Sequence, residues 1–186
     1  IDITKGIEGS GIPITIASFG GGAPEDIASI VASDLQRTGK IAPQPAGSRA
    51  DYSVTGQAQP GGARGYLVQF QLAGAQGAPL LNLSFDVAPN QLRPVAHKIS
   101  DLIYEKLTGE KGLAGTRIAY IASSGGSWYL VVADADGQNP RVILRSGQPL
   151  MSPAWSPDGG KLAYVSFEGR HPQIVVQDVY SGARRV

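Results

Sequence analysis

Cysteine is absent from the 186 residues, methionine occurs once and histidine twice. Without thiols the chain forms no disulfide, holds no thiolate-bound metal and carries no cysteine nucleophile, and it fits reducing and oxidising compartments alike. His97 and His171 have no partner at metal-ligand spacing. An excess of one charge is missing too: 16 Lys and Arg face 15 Asp and Glu, and the longest basic cluster is Arg184-Arg185. That balance excludes the electrostatic footprint of a nucleic-acid-binding protein. No apolar run approaches the ~18 residues of a spanning helix, and no signal-peptide pattern opens the chain. Because the first residue is Ile1 rather than Met, the expectation is a processed or trimmed product.

Glycine (25) and proline (13) are abundant, so turns are frequent, while 42% hydrophobic residues spread along the chain supply a core. From Ile12 to Phe19, apolar Ile12, Ile14 and Ile16 alternate with Pro13 and Thr15, the period of a half-buried strand. Gly20-Gly21-Gly22 breaks it. Pro24 suits a first helical turn, and Glu25 and Asp26 place negative charge at the positive end of a helix whose stripe is Ile27, Ile30, Val31 and Leu35. Gly39 is its stop. Three strands follow at Tyr52–Ala58, Gly65–Ala73 and Pro79–Val87, joined by hairpin-sized loops. The second carries Tyr66, Val68, Phe70 and Leu72 on one face against Leu67, Gln69 and Gln71 on the other. A second helix has Asn90 as its expected N-cap and Leu92, Val95, Ala96, Ile99, Leu102, Ile103 and Leu107 as its apolar face.

From Gly112 onward the pattern becomes a repeat. Arg117-Ile118-Ala119-Tyr120-Ile121 realigns with Lys161-Leu162-Ala163-Tyr164-Val165 at an offset of 44. At the same offset Val131, Val132 and Asp134 fall on Val175, Val176 and Asp178, and Arg141-Val142 on Arg185-Val186. A period of about 40–45 residues with several short strands is the signature of a β-propeller blade.

The segment from Pro149 through Ser152-Pro153-Ala154-Trp155-Ser156-Pro157-Asp158-Gly159 to Val165 is similar to the blade signature of the TolB family. Its Trp suits packing between blades, and its Pro and Gly suit a tight turn. Ala23-Pro24-Glu25-Asp26-Ile27, Ala32-Ser33-Asp34-Leu35, Glu105-Lys106-Leu107-Thr108-Gly109 and Thr116-Arg117-Ile118-Ala119-Tyr120 resemble the same family in the same order. The resemblance implies an α/β (α+β) amino-terminal domain followed by the first blades of an all-β propeller. The expected divisions are an arm at 1–11, a small mixed α/β domain at 12–112 and the start of the propeller at 113–186. TolB-like proteins resemble propellers of about six blades. Fewer than two repeats are present here, so the propeller is incomplete in this chain. The family also carries a longer segment with another helix where this sequence passes from Gln44-Pro45-Ala46 to Ser48-Arg49-Ala50-Asp51.

The resemblance further implies a non-enzymatic periplasmic scaffold of the Tol–Pal system, serving outer-membrane integrity and cell division. Pal, the peptidoglycan-associated lipoprotein, would dock on the propeller, and TolA on the amino-terminal arm, which some bacterial toxins also exploit. No cofactor is implied. Ile1, Asp2, Ile3, Thr4 and Lys5 alternate apolar and polar residues ahead of a glycine-rich hinge from Gly6 to Gly11. Such an arm adds to a sheet edge of its own domain or to a partner's sheet, and the resemblance favours the partner. The alternative from another class is an accessory propeller or cap of a hydrolase or carbohydrate-binding protein. A third is a self-associating module whose open propeller pairs with a second copy.

Other chemistry is weaker. Gly20-Gly21-Gly22 lacks the spacing of a dinucleotide or P-loop fingerprint, since position 25 is Glu25. Asp134-Ala135-Asp136-Gly137 echoes a calcium loop but has too few oxygen ligands, so a hairpin turn is expected. No Gly-x-Ser-x-Gly elbow marks a nucleophile. Trp128, Trp155, Tyr120 and Tyr164 are expected as inter-blade core rather than a ligand cage.

Overall fold

The computed structural model describes residues 11–169 and 171–186. Its contacts divide into two units, Ile1–Gly115 and Thr116–Val186.

The first unit runs β1 (Ile12–Ile16), α1 (Ile27–Arg37), β2 (Ile41–Gln44), β3 (Tyr52–Gly61), β4 (Gly65–Gly74), β5 (Pro79–Val87) and α2 (Leu92–Thr108). Its strands form one mixed sheet in the order β2-β1-β3-β4-β5. β1 is parallel to both neighbours, and β3, β4 and β5 form antiparallel pairs. β1 ends at Ile16 rather than Phe19, although Ala17 N still donates to Val54 O at 2.9 Å. Phe19 instead turns inward over Gly56, where an added Cβ would come within 2.3 Å of its ring. α1 begins after Pro24, with Asp26 as N-cap accepting from Ser29 N at 3.1 Å.

The expected cap of α2 is corrected. Pro89–Gln91 form a 3-10 turn, the helix starts at Leu92, and Gln91 occupies the cap position with no side-chain bond. Pro89, with its fixed φ, starts the turn one residue before Asn90, which therefore sits inside it. Gly109 closes the helix at φ +76, its N–H donating to Glu105 O at 2.9 Å.

Ile14, Val54, Val68, Phe70 and Leu72 from the sheet pack with Ile27, Val31 and Leu35 of α1 and with Leu92, Val95, Ala96, Ile99 and Ile103 of α2. Both helices therefore cover one face. Because side chains alternate along a strand, the residues between these project from the opposite face.

The link from β2 to β3 is Pro45–Asp51, seven residues. The two strands flank β1 and run parallel to it, and such a crossover ordinarily takes a dozen or more residues and a helix. Here a turn closed by Ser48 N donating to Pro45 O at 3.1 Å, with Gly47 at φ +84, returns the chain. Asp51 N then donates to Pro13 O at 3.1 Å and starts β3 in register.

The second unit holds two antiparallel sheets. β6 (Arg117–Ser124), β7 (Ser127–Asp134) and β8 (Arg141–Ser146) form the first, in the order β6-β7-β8. β9 (Leu150–Trp155), β10 (Lys161–Ser166), β11 (Gln173–Asp178) and β12 (Arg184–Arg185) form the second, in the order β12-β11-β10-β9. The offset of 44 lays β6 on β10, β7 on β11 and β8 on β12. β9 has no counterpart ahead of β6 within this unit, so the first sheet is one strand short and no ring closes. Leu130 and Val132 pack with Leu150, Leu162, Tyr164 and Val175 in the core between the sheets. The turn after β9 uses Gly159 at φ +66, its N–H donating to Ser156 O at 2.9 Å.

Candidate functional site

The proposed arm residues Ile1, Asp2, Ile3, Thr4 and Lys5 lie outside the described residues. Among the described residues, four features can be judged by geometry.

The first is a buried polar cluster between α1 and α2. His97 Nδ1 lies 2.7 Å from Asp34 Oδ2, and Ser100 Oγ donates to the same oxygen at 2.8 Å. Arg37 pairs with Asp34 Oδ1. Burial pushes the Asp34 carboxyl up, but the bonds from His97, Ser100 and Arg37, with the attraction of the His97 ring, outweigh it and hold the group below the usual carboxylate range. The residue types are those of a hydrolase triad, but the connectivity is not. A nucleophilic serine must touch its base, whereas here serine and histidine both converge on the carboxylate, and Ser100 is 1% exposed. The cluster joins two helices and generates no nucleophile.

The second is the pair of loops weighed for anions and metals. Gly20 bridges to Gln57, with Ala58 N donating to Gly20 O at 2.7 Å, so the triple glycine serves close backbone packing. Gly21 sits at φ +104 against Ala58 O, where a Cβ would lie within 2.5 Å. Asp134–Gly137 is the expected hairpin turn. Gly137 N donates to Asp134 O, Gln138 N to Asp136 Oδ1 and Asn139 Nδ2 to Asp134 Oδ2.

The third is an apolar groove of about 630 Å³ between Ala119–Ile121, Trp128 and Pro149–Pro153. β9 is distorted there: Ser152 takes φ +51 where the β9–β10 register shifts. Tyr120 and Tyr164, equivalent in the repeat, meet different surroundings. Tyr164 is 1% exposed, its hydroxyl donating to Gln177 Oε1 at 2.8 Å, and Gln177 Nε2 donates onward to Ile143 O of β8 at 2.9 Å. Tyr120 is 38% exposed, and Ile118 (40%) on the same strand and Val142 (55%) on β8 are exposed too. Trp155 and Trp128 pack against the core between the sheets, as expected of blade aromatics.

The fourth, which no local sequence pattern marks as a whole, is an open groove of about 390 Å³ on the helix-free face of the first unit. It is lined by Thr55, Gln57, Gln69, Gln71 and Asn82 together with Gly56 and Phe70. Strand register assembles it. Thr55, Gln71 and Asn82 stand abreast across β3, β4 and β5, and Gln57, Gln69 and Ser84 form the next row. The alternation of Gln69 and Gln71 was visible in β4, but only the pairing brings Gln57 and Asn82 beside them.

A model of the TolB amino-terminal domain matches residues 1–51, and one of the TolB beta propeller domain matches residues 104–186. A protein of Thioalkalivibrio sulfidiphilus called Tol-Pal system protein TolB is 43% identical, over all of this chain and 49% of its own length. A protein of the same name from Haemophilus influenzae is 44% identical, over all of this chain and 50% of its length. Both alignments run over 214 positions, so these relatives carry residues that this chain lacks. The crystal structure of TolB from Acinetobacter baumannii superposes with a TM-score of 0.87 at 34% identity, covering 95% of this chain and 49% of that one. The chain spans about half the length of the curated relatives it matches. Matched by family models at both ends and by relatives above 40% identity along its whole length, the chain belongs to the TolB family.

Proposed function

We propose that this chain acts as a TolB-type scaffold of the Tol–Pal envelope system, binding partners rather than catalysing a reaction. The observation that carries the reading is whole-chain identity of 43–44% to proteins named for that system. The Asp34, His97 and Ser100 geometry supports a non-catalytic role. The same relatives favour this reading over an accessory propeller of a hydrolase or carbohydrate-binding protein.

The finer roles follow from the family resemblance. The site of action is the periplasm, and no helix among the described residues is long and apolar enough to cross a membrane. Pal docks on propeller blades, TolA engages Ile1–Lys5, and toxins that enter through the system use the same arm. From the glycine content of the 6–11 stretch we infer that Pal binding governs how far the arm is exposed to TolA, a shift between two populations.

Titration calorimetry with the soluble domain of TolA tests the arm. Deleting Ile1–Lys5 abolishes the heat of binding while circular dichroism stays unchanged; retained binding would exclude the arm. A fluorophore on the arm of the full-length protein changes anisotropy when Pal is added. Unchanged mobility would exclude the population shift.

A further inference from the structure

The groove over β3, β4 and β5 has no part in the proposed scaffold role. We propose that it binds a neutral oligosaccharide through the side chains of Thr55, Gln57, Gln69, Gln71 and Asn82.

Within a row, neighbouring side chains stand about 4.8 Å apart from strand to strand, and Thr55-Gln71-Asn82 and Gln57-Gln69-Ser84 form two parallel polar ladders. Gln57, Gln69 and Asn82 are exposed, and among the described residues none of the five groove side chains is tied up by another protein group. Each amide offers two donors and an acceptor. A ligand matching them carries many groups that both donate and accept, which is the chemistry of sugar hydroxyls.

Charge points the same way. Lys, Arg, Asp and Glu are absent from both ladders. Asp86, on the same face one row further along β5, is occupied at the β3–β4 hairpin, where it accepts from Ala63 N at 2.8 Å and Arg64 N at 3.0 Å. An anionic ligand would need cations in the groove, and a docking amphipathic helix would need an apolar strip; the ladders provide neither. The groove is concave, about 390 Å³, within the range of small-ligand sites. It has no aromatic platform on that face, so affinity rests on hydrogen bonds exchanged against water and falls in the millimolar range.

The test is an NMR titration of the complete 15N-labelled chain with cellotetraose, which offers hydroxyls alone, and with tetra-N-acetylchitotetraose, which adds neutral amides. Saturable shifts of the Gln57, Gln69, Gln71 and Asn82 side-chain amides with either sugar support the proposal, and the better ligand defines the class. Gln69→Ala and Gln71→Ala each weaken binding several-fold, while Gln148→Ala, in the second unit, leaves it unchanged. Spectral dispersion reports whether each variant is folded, and Asn82→Ala provides a further reading if one is not. The proposal is overturned if no groove amide shifts at about 10 mM of either sugar, or if folded groove variants bind as the parent does. Loss of TolA or Pal binding would leave this result untouched, so the two readings fail separately.

Discussion

The guanidinium of Arg117 lies over the Trp155 ring, 4.8 Å from its centroid, and ties the first propeller strand to the blade after it. Tyr180 approaches the same cation at 5.7 Å, and Arg117 Nη2 donates to Gly159 O at 2.7 Å. A planar fork is needed to stack and donate at once, which an ammonium cannot reproduce. Arg117→Ala is expected to destabilise the second unit by about 1–2 kcal/mol, and Arg117→Lys to recover less than half of that loss. Urea unfolding followed by tryptophan fluorescence measures both.

Gln177 connects the two sheets more directly. It is 2% exposed and links Tyr164 of β10 to the Ile143 carbonyl of β8. Gln177→Leu keeps the volume but leaves a buried hydroxyl and a carbonyl without this partner. The expected cost is about 2 kcal/mol, read as a lowered urea midpoint. Tyr164→Phe together with Gln177→Leu costs less than the sum of the two single changes.

In the first unit the contact of Phe19 with Gly56 sets a steric test. Gly56→Ala drives a methyl into the Phe19 ring, with an expected loss of about 1–3 kcal/mol. Phe19→Leu, harmful alone, relieves the clash, so the double variant melts above Gly56→Ala. Thermal unfolding of the four proteins completes the cycle.

Asp34 predicts a pH dependence. Its folded-state carboxyl sits below its ordinary value of 3.8. The stabilisation is therefore fully present above that value and is lost as pH falls through the lower folded pKa. Asp34→Asn removes this component, so its stability falls less steeply below pH 3.8. At neutral pH Asp34→Ala removes the carboxylate that His97, Ser100 and Arg37 share and costs about 3 kcal/mol. Urea midpoints at successive pH values, for parent and variants, measure both effects.

Much of this fold is legible in the order of residues because its periods are strong. The alternation of Ile12, Ile14 and Ile16, the stripe of α2 and the repeat joining Tyr120 to Tyr164 are local patterns that survive into the structure. β2 was not legible, since four residues including Pro43 carry too little alternation to mark a strand; Ile41 finds its place only by pairing with Ile12. The Asp34 cluster draws on His97 and Ser100, 63 and 66 residues away, and comes into being when the helices meet. The amide groove was half visible in Gln69 and Gln71, the other half being contributed by neighbouring strands.

The shortcut of Pro45–Asp51 has a practical reach. The alignment of β2 and β3 on either side of β1 is kept without any covering element along the link between them, and Pro45–Arg49 stand exposed. Strand order and peripheral ornament are thus separable here. Foreign sequence, such as an affinity epitope or a fluorescent reporter, can be spliced between Gly47 and Ser48 while the hydrogen bond from Asp51 to Pro13 continues to set where β3 begins.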